Sequence, residues 1–212
     1  MKKMKAVIFD FGGVLIDWNP YYLYRKVFTN DTEIARLLQE IHFDEWNRYF
    51  DQGYPWALGI AEMCRLYPTH ADMIRLFDER WLETLGTTFK ANIALVEAIK
   101  NSGTPVYGLS NWSAAKFSLV RPRYEFFDLF ADMVISGEVK IAKPDPRIYK
   151  LLLERNSLRA GECIYIDDTE DNFHVASQLG LQAIHYQSSG QLHQELQTHG
   201  VLKNPINIKA SL

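Results

Sequence analysis

"AVIFDFGGVLIDW", residues 6–18, runs through apolar, β-branched and aromatic side chains, stops at Asp10, and continues into the pair Gly12-Gly13. A short apolar run closed by a polar residue and glycines reads as a β-strand buried on both faces. Three further runs have the same form: "TPVYGLSN" (104–111), "ADMVISG" (131–137) and "ECIYIDD" (162–168). A weaker one, "LQAIHY" (181–186), follows Gly180. Between them, "KANIALVEAIKNSG" (90–103), "PDPRIYKLLLERN" (144–156) and "TEDNFHVASQLG" (169–180) repeat apolar residues every three or four positions, bounded by proline or glycine. These are helix signatures. Alternating strands and helices predict an α/β fold, a doubly wound Rossmann-like parallel sheet with right-handed crossovers.

Residues 18–88 break the alternation. "PYYLYRKVF" (20–28), "TEIARLLQEIHFDEWNRYF" (32–50), "PWALGIAEMCRLY" (55–67) and "HADMIRLFDERWLETL" (70–85) all carry helical spacing, with no strand signal between them. The expected organisation is an α/β core from residues 1–17 and 89–212, with a helical domain inserted at 18–88. The tail from about Leu202 gives no pattern.

At 212 residues, 47% hydrophobic and 23% charged, the chain can bury one large core. A net charge of −3 and a pI near 6.1 supply no positive field for nucleic acid. Asp10 interrupts the apolar start, so no secretion signal is expected, and no stretch approaches the ~20 apolar residues of a membrane span. Two cysteines, Cys64 and Cys163, fit a cytoplasmic protein without disulfides. No G-x-G-x-x-G, P-loop or zinc-helix spacing occurs, and His174 and His185 read as structural.

In open parallel sheets, ligands bind beyond the carboxyl ends of the strands. Asp10 follows the first run, Ser110 and Asn111 the second, Lys143 and Pro144 the loop after the third, and Asp167 and Asp168 the fourth. Each alone is an ordinary turn or helix cap. Together, in this order, they converge on phosphate chemistry.

With these residues in hand, the chain resembles the haloacid dehalogenase superfamily, whose phosphatases carry four motifs in this order. "VIFDFGGVL", "VYGLSN", "AKPDPRIY" and "YIDDTEDNFHVASQLG" look like the four, and the inserted helices look like a type-1 cap. The "DD…N" form and the "DxG" start are similar to the branch of that superfamily that holds small sugar-phosphate phosphatases. The resemblance implies that Asp10 attacks phosphorus to give an aspartyl-phosphate. It implies that Mg²⁺ is held by Asp10, the Gly12 carbonyl and Asp168, with Asp167 acting directly or through water and Asn172 orienting them. Lys143 would offset charge, and Ser110 and the amide of Asn111 would bind phosphoryl oxygens.

Gly12 departs from the family pattern, because many relatives have there a second aspartate that carries the leaving-group proton. Asp17 is a candidate replacement, and it also reads as the cap of the helix after "WNP". Two other readings stand beside the phosphatase. Dehalogenase relatives also lack the second aspartate, although the Asp167-Asp168 pair disfavours attack on a haloacid. A weakly active phosphate-binding regulator is the third.

In the insertion, "DEWNRYFDQGYPW" (44–56) gathers Trp46, Arg48, Tyr49, Asp51 and Trp56 around Gly53. This is a candidate substrate-selecting turn, with Arg48 foremost. An equal reading makes Trp46, Tyr49 and Phe50 helix core. Trp112 is a second candidate wall of the pocket. The expected partner is a small phosphorylated metabolite, with no nucleic acid or membrane, and the expected assembly a monomer or small homo-oligomer.

Overall fold

The computed structural model describes residues 4–202, so the tail beyond Leu202 lies outside the described residues. Strands β1 (Ala6–Phe9), β4 (Val106–Ser110), β5 (Asp132–Ile135), β6 (Cys163–Asp167) and β7 (Gln182–His185) form one sheet in the order β5-β4-β1-β6-β7. Every neighbouring pair is parallel, as the apolar runs predict. Helices α6 (Lys90–Asn101), α7 (Ala114–Val120), α8 (Ser136–Val139), α9 (Pro146–Arg155), α10 (Glu170–Gln178) and α11 (Ser189–Thr198) connect or follow these strands. The fold is therefore a Rossmann-like α/β fold. Both sheet faces are covered, by a cluster including Val7, Phe9, Val106, Ile164 and Ile166 on one side and by Ile8, Leu109, Tyr149 and Tyr165 on the other.

The strand order reverses direction at β1, where the chain runs outward through β4 and β5 before crossing to β6. This switch leaves a crevice at the carboxyl ends of β1 and β6. Registration there is tight, since the Asp10 N–H donates to the Ile166 carbonyl at 2.9 Å. Asp10 and Asp167 are thereby fixed side by side.

The segment 18–88 contains the expected helices, namely α1 (Pro20–Tyr24), α2 (Asp31–Glu40), α3 (Phe43–Asp51), α4 (Trp56–Leu66) and α5 (Ala71–Glu79). It also contains strand structure that the sequence does not announce. Strands β2 (Ile16–Trp18) and β3 (Leu85–Thr88) pair antiparallel and bracket the helices. At three and four residues, they are too short for a period-two signal to emerge beside the stronger helical patterns. Among the described residues no helix is long and apolar enough to cross a membrane.

The inserted helices are tied to the sheet by a buried cation. Lys116 of α7 is 5% exposed, and its ammonium lies 2.7 Å from the Asp78 carboxylate at the end of α5 and 4.4 Å from the Trp56 ring centroid. The Trp56 indole N–H donates to the same carboxylate at 2.6 Å. Lys116→Met keeps the apolar stem but removes the charge, and because half-buried Asp78 can rehydrate, a loss of about 1–3 kcal/mol in urea unfolding is expected. A variant as stable as wild type would show that this contact adds nothing.

Candidate functional site at the strand ends

Lys143 is the centre of the site. It enters from the loop before α9 and is 4% exposed, and its ammonium lies 3.0 Å from Asp10 Oδ1. It donates to Asp167 Oδ2 at 2.6 Å and to the Leu109 carbonyl at 3.0 Å. Those contacts use all the donors of an ammonium group. The Asn111 side chain holds the loop in place, donating to the Lys143 carbonyl at 2.9 Å and accepting from the Lys143 N–H at 2.8 Å.

Asp167 is buried and saturated. Besides Lys143, it accepts from the Tyr165 hydroxyl, from the Thr169 N–H at 2.9 Å, and from the Asn172 amide at 3.0 and 3.1 Å. Tyr165 and Asp167 stand two apart on β6 and so share one face of the strand. Burial alone would raise the Asp167 carboxyl, but Lys143, Tyr165 and Asn172 hold it below the ordinary range. Burial also opposes the charge on Lys143, yet Asp10 and Asp167 raise its pKa.

Asp10 is treated differently by its surroundings. Its Oδ1 accepts from the Phe11 N–H at 2.7 Å. Burial pushes its pKa up to about 7; Lys143 lowers it, while Asp167 and Asp168 raise it. Asp168 is exposed, and its carboxyl is raised by partial burial and by Asp167. Gly13, at φ +70°, makes room for it, because a Cβ there would lie 2.1 Å from Asp168 Oδ2. The two glycines thus differ, since a Cβ on Gly12 meets nothing within 4 Å.

Oxygens of Asp10, Asp167 and Asp168 all lie within 4.8 Å of one another. Hard carboxylate donors in this arrangement fit a cation such as Mg²⁺. Since Asp167 is saturated, Asp10 and Asp168 are the better placed of the three to take it.

The remaining candidates divide. Ser110 is buried at the end of β4, and Trp112 packs on Trp81 and Phe117 with centroids 6.0 and 5.7 Å apart. Trp112 also lines a cavity of about 80 Å³ with Gly12, Asn111, Trp18 and Asp51. Arg48 does not line that cavity but an adjoining groove with Lys143, Asp145 and Asp171, and Asn47, Asp51 and Asn111 line both. In α3, Phe50 is core but Tyr49 is 42% exposed and bonds Glu45, so the core reading of that stretch holds only in part. Asp17 accepts from the Tyr22 hydroxyl and stands apart from the carboxylate cluster, and the cap of α1 is Asn19, which accepts from the Tyr21 N–H at 2.9 Å. The reading of Asp17 as the cap of α1 is therefore corrected. Asp51, from the candidate substrate-selecting turn, lines the cavity, and Tyr165 and the clamping side chain of Asn111 are new to the site.

Residues 4–180 match the hydrolase family described as haloacid dehalogenase-like hydrolase. The chain is 26% identical over 191 residues to the sesquiterpene phosphatase astK of Aspergillus oryzae, covering 87% of this chain and 91% of that protein. It is 27% identical over 190 residues to a phosphorylated carbohydrates phosphatase of Thermotoga maritima, covering 86% and 84%. It spans 36% of the length of another relative, drimenol cyclase drtB of Aspergillus calidoustus, at 25% identity and with 91% of this chain matched. Among solved structures, the magnesium complex of a HAD family enzyme from Bacteroides thetaiotaomicron superposes with a TM-score of 0.67 at 25% identity, covering 86% of this chain and 93% of that one. With four motifs at four strand ends and most of its length matched, the chain belongs to the haloacid dehalogenase-like hydrolases.

Proposed function

We propose that this hydrolase is a phosphatase that cleaves a small, hydroxylated phosphomonoester through an aspartyl-phosphate on Asp10. The observation that carries the reading is Lys143 fixed between Asp10 and Asp167, with Asp168 left free beside them. Asp10 has one oxygen held by the Phe11 N–H and Lys143, which orients the other for attack. Asp10, Asp168 and the Gly12 carbonyl are the residues that would hold Mg²⁺, which when bound neutralises the charge of the phosphoryl group. Ser110 and the Asn111 N–H would take phosphoryl oxygens, and the inserted helices at 18–88 would act as a cap over the leaving group.

The polar groups of the cavity lining favour a sugar or polyol phosphate, and phosphorylated carbohydrates are the substrates named for the Thermotoga relative. Asn47, Asn111, Ser113 and Asp51 line the cavity beside Trp56, Trp81 and Trp112, as does Trp18, whose buried indole N–H has no partner among the described residues. Such a set suits hydroxyl groups. The test is a panel of sugar and polyol phosphates, p-nitrophenyl phosphate and 2-haloacids, each with Mg²⁺ and with chelator. Mg²⁺-dependent phosphate release supports the reading, and metal-independent halide release overturns it.

Metal binding should depend on pH. With the Asp10 carboxyl raised to about 7, its proton must leave before a cation binds. Below pH 7, Mg²⁺ affinity is expected to rise roughly tenfold per pH unit and then level off. Thermal shift against Mg²⁺ concentration at pH 5.5, 6.5 and 8 checks this. An affinity unchanged across the series would mean that Asp10 binds no proton in this range.

A further inference from the structure

Position 12 lacks a side chain, and the family's usual proton carrier with it, so the leaving oxygen needs another donor. The space that such a side chain would enter is open, because a Cβ on Gly12 has no neighbour within 4 Å. Gly12 lines the same cavity as Asp51, the last residue of α3, and among the described residues no other acid lines it. Since this inference deepens the phosphatase reading, it rests on that reading. We propose that Asp51 is the proton carrier of the reaction, supplied by the inserted helices in place of the carboxylate missing at position 12.

Geometry and chemistry agree on this role. Among the described residues Asp51 makes no ion pair, although Arg48 lies on its own helix; its contact with Asn47, a long 3.4 Å from the amide, leaves the carboxyl free to exchange a proton. The charged groups that act on it from the sheet side are Lys143 and Asp10, and Asp44, Asp145 and Asp171 border the adjoining groove. Burial pushes its pKa up to about 7, with Lys143 lowering it and Asp10 raising it. A carboxyl with that value is poised to give and to take a proton near neutrality. Asp17, the other candidate, is occupied by Tyr22.

The two steps balance. As Asp10 forms its bond to phosphorus, the bond to the leaving oxygen breaks with its electron pair, and that oxygen takes the proton of the Asp51 carboxyl. In the second step the Asp51 carboxylate takes a proton from water as the water oxygen attacks phosphorus. The bond to Asp10 breaks, its electron pair returns to the Asp10 carboxylate, and Asp51 is again protonated. The sum is ester plus water giving alcohol plus phosphate.

The test compares Asp51→Asn with wild type on an alkyl ester, such as a polyol phosphate, and on p-nitrophenyl phosphate. A nitrophenolate leaves without a proton and an alkoxide does not. The variant should lose about 10²- to 10⁴-fold in first-turnover rate on the alkyl ester. It should keep a near-wild-type burst of nitrophenolate followed by slow steady turnover, as the phosphorylated enzyme accumulates. Adding Gly12→Asp to Asp51→Asn places a carboxylate in the open space and should restore alkyl turnover by more than tenfold. Equal loss on both esters, or loss on neither, overturns the role of Asp51 and leaves the phosphatase standing. A wild type without burst or turnover on any phosphate ester overturns the phosphatase itself.

Discussion

Asp10→Asn is expected to fold and to lose more than about 10⁴-fold in phosphate release, because an amide nitrogen or oxygen does not replace the attacking carboxylate. Its effect on stability should have the opposite sign. A buried carboxyl raised to about 7 holds its proton in the folded state at pH values where the unfolded chain has released it. Between about pH 4 and 7 the native protein thus binds more protons, and stability falls as pH rises by up to roughly 1.4 kcal/mol per unit for this group. Asparagine has no proton to lose, so in chelator the variant should show a shallower fall across that window. Asp51, raised to a similar value, leaves a residual slope. Urea unfolding at pH 5 and pH 7, beside a phosphate-release assay, reads both effects. Appreciable phosphate release by the variant would remove Asp10 from the role of nucleophile.

Much of this site is legible in the sequence because buried parallel strands leave an unmistakable trace. Each is an apolar run, and the residue that ends it must sit at the sheet's carboxyl edge, so Asp10, Ser110 and Asp167 are placed by the strands that carry them. The part of Tyr165 was also within reach, since its spacing of two from Asp167 puts both on one face of β6. Other features depend on tertiary placement alone. Nothing local to "DEWNRYFDQGYPW" says that α3 ends at the cavity that Gly12 lines, so Asp51 reads as one polar residue among several. Asn111 shows its main-chain amide to a motif reader, whereas its side chain spans 32 positions to clamp Lys143. Strands β2 and β3 escape because three or four residues carry too few alternations to outweigh helical neighbours.

Lys143→Met should be the most destabilising single change at the site. The substitution leaves Asp10 and Asp167 buried with no cation between them, and removing one partner of such a group costs about 3–5 kcal/mol. The cost should depend on pH. In wild type, Lys143 helps to depress the Asp167 pKa, so this carboxylate contributes stability above its unfolded value near 4, lost as pH falls through the lower folded value. Without the ammonium, burial dominates and both carboxyls are raised, which makes the folded variant bind extra protons and lose stability as pH rises. The gap between wild type and variant should therefore be small near pH 4.5 and largest at pH 8, where urea midpoints separate most. A gap of constant size would mean that lost packing, not uncompensated charge, is responsible. Lys143→Arg should not rescue, because a planar fork cannot repeat three converging ammonium contacts in a site this closed. Adding Asp10→Asn to Lys143→Met removes one of the stranded carboxylates, so the double variant should be more stable than Lys143→Met alone. That sign distinguishes a charge cluster from two independent residues.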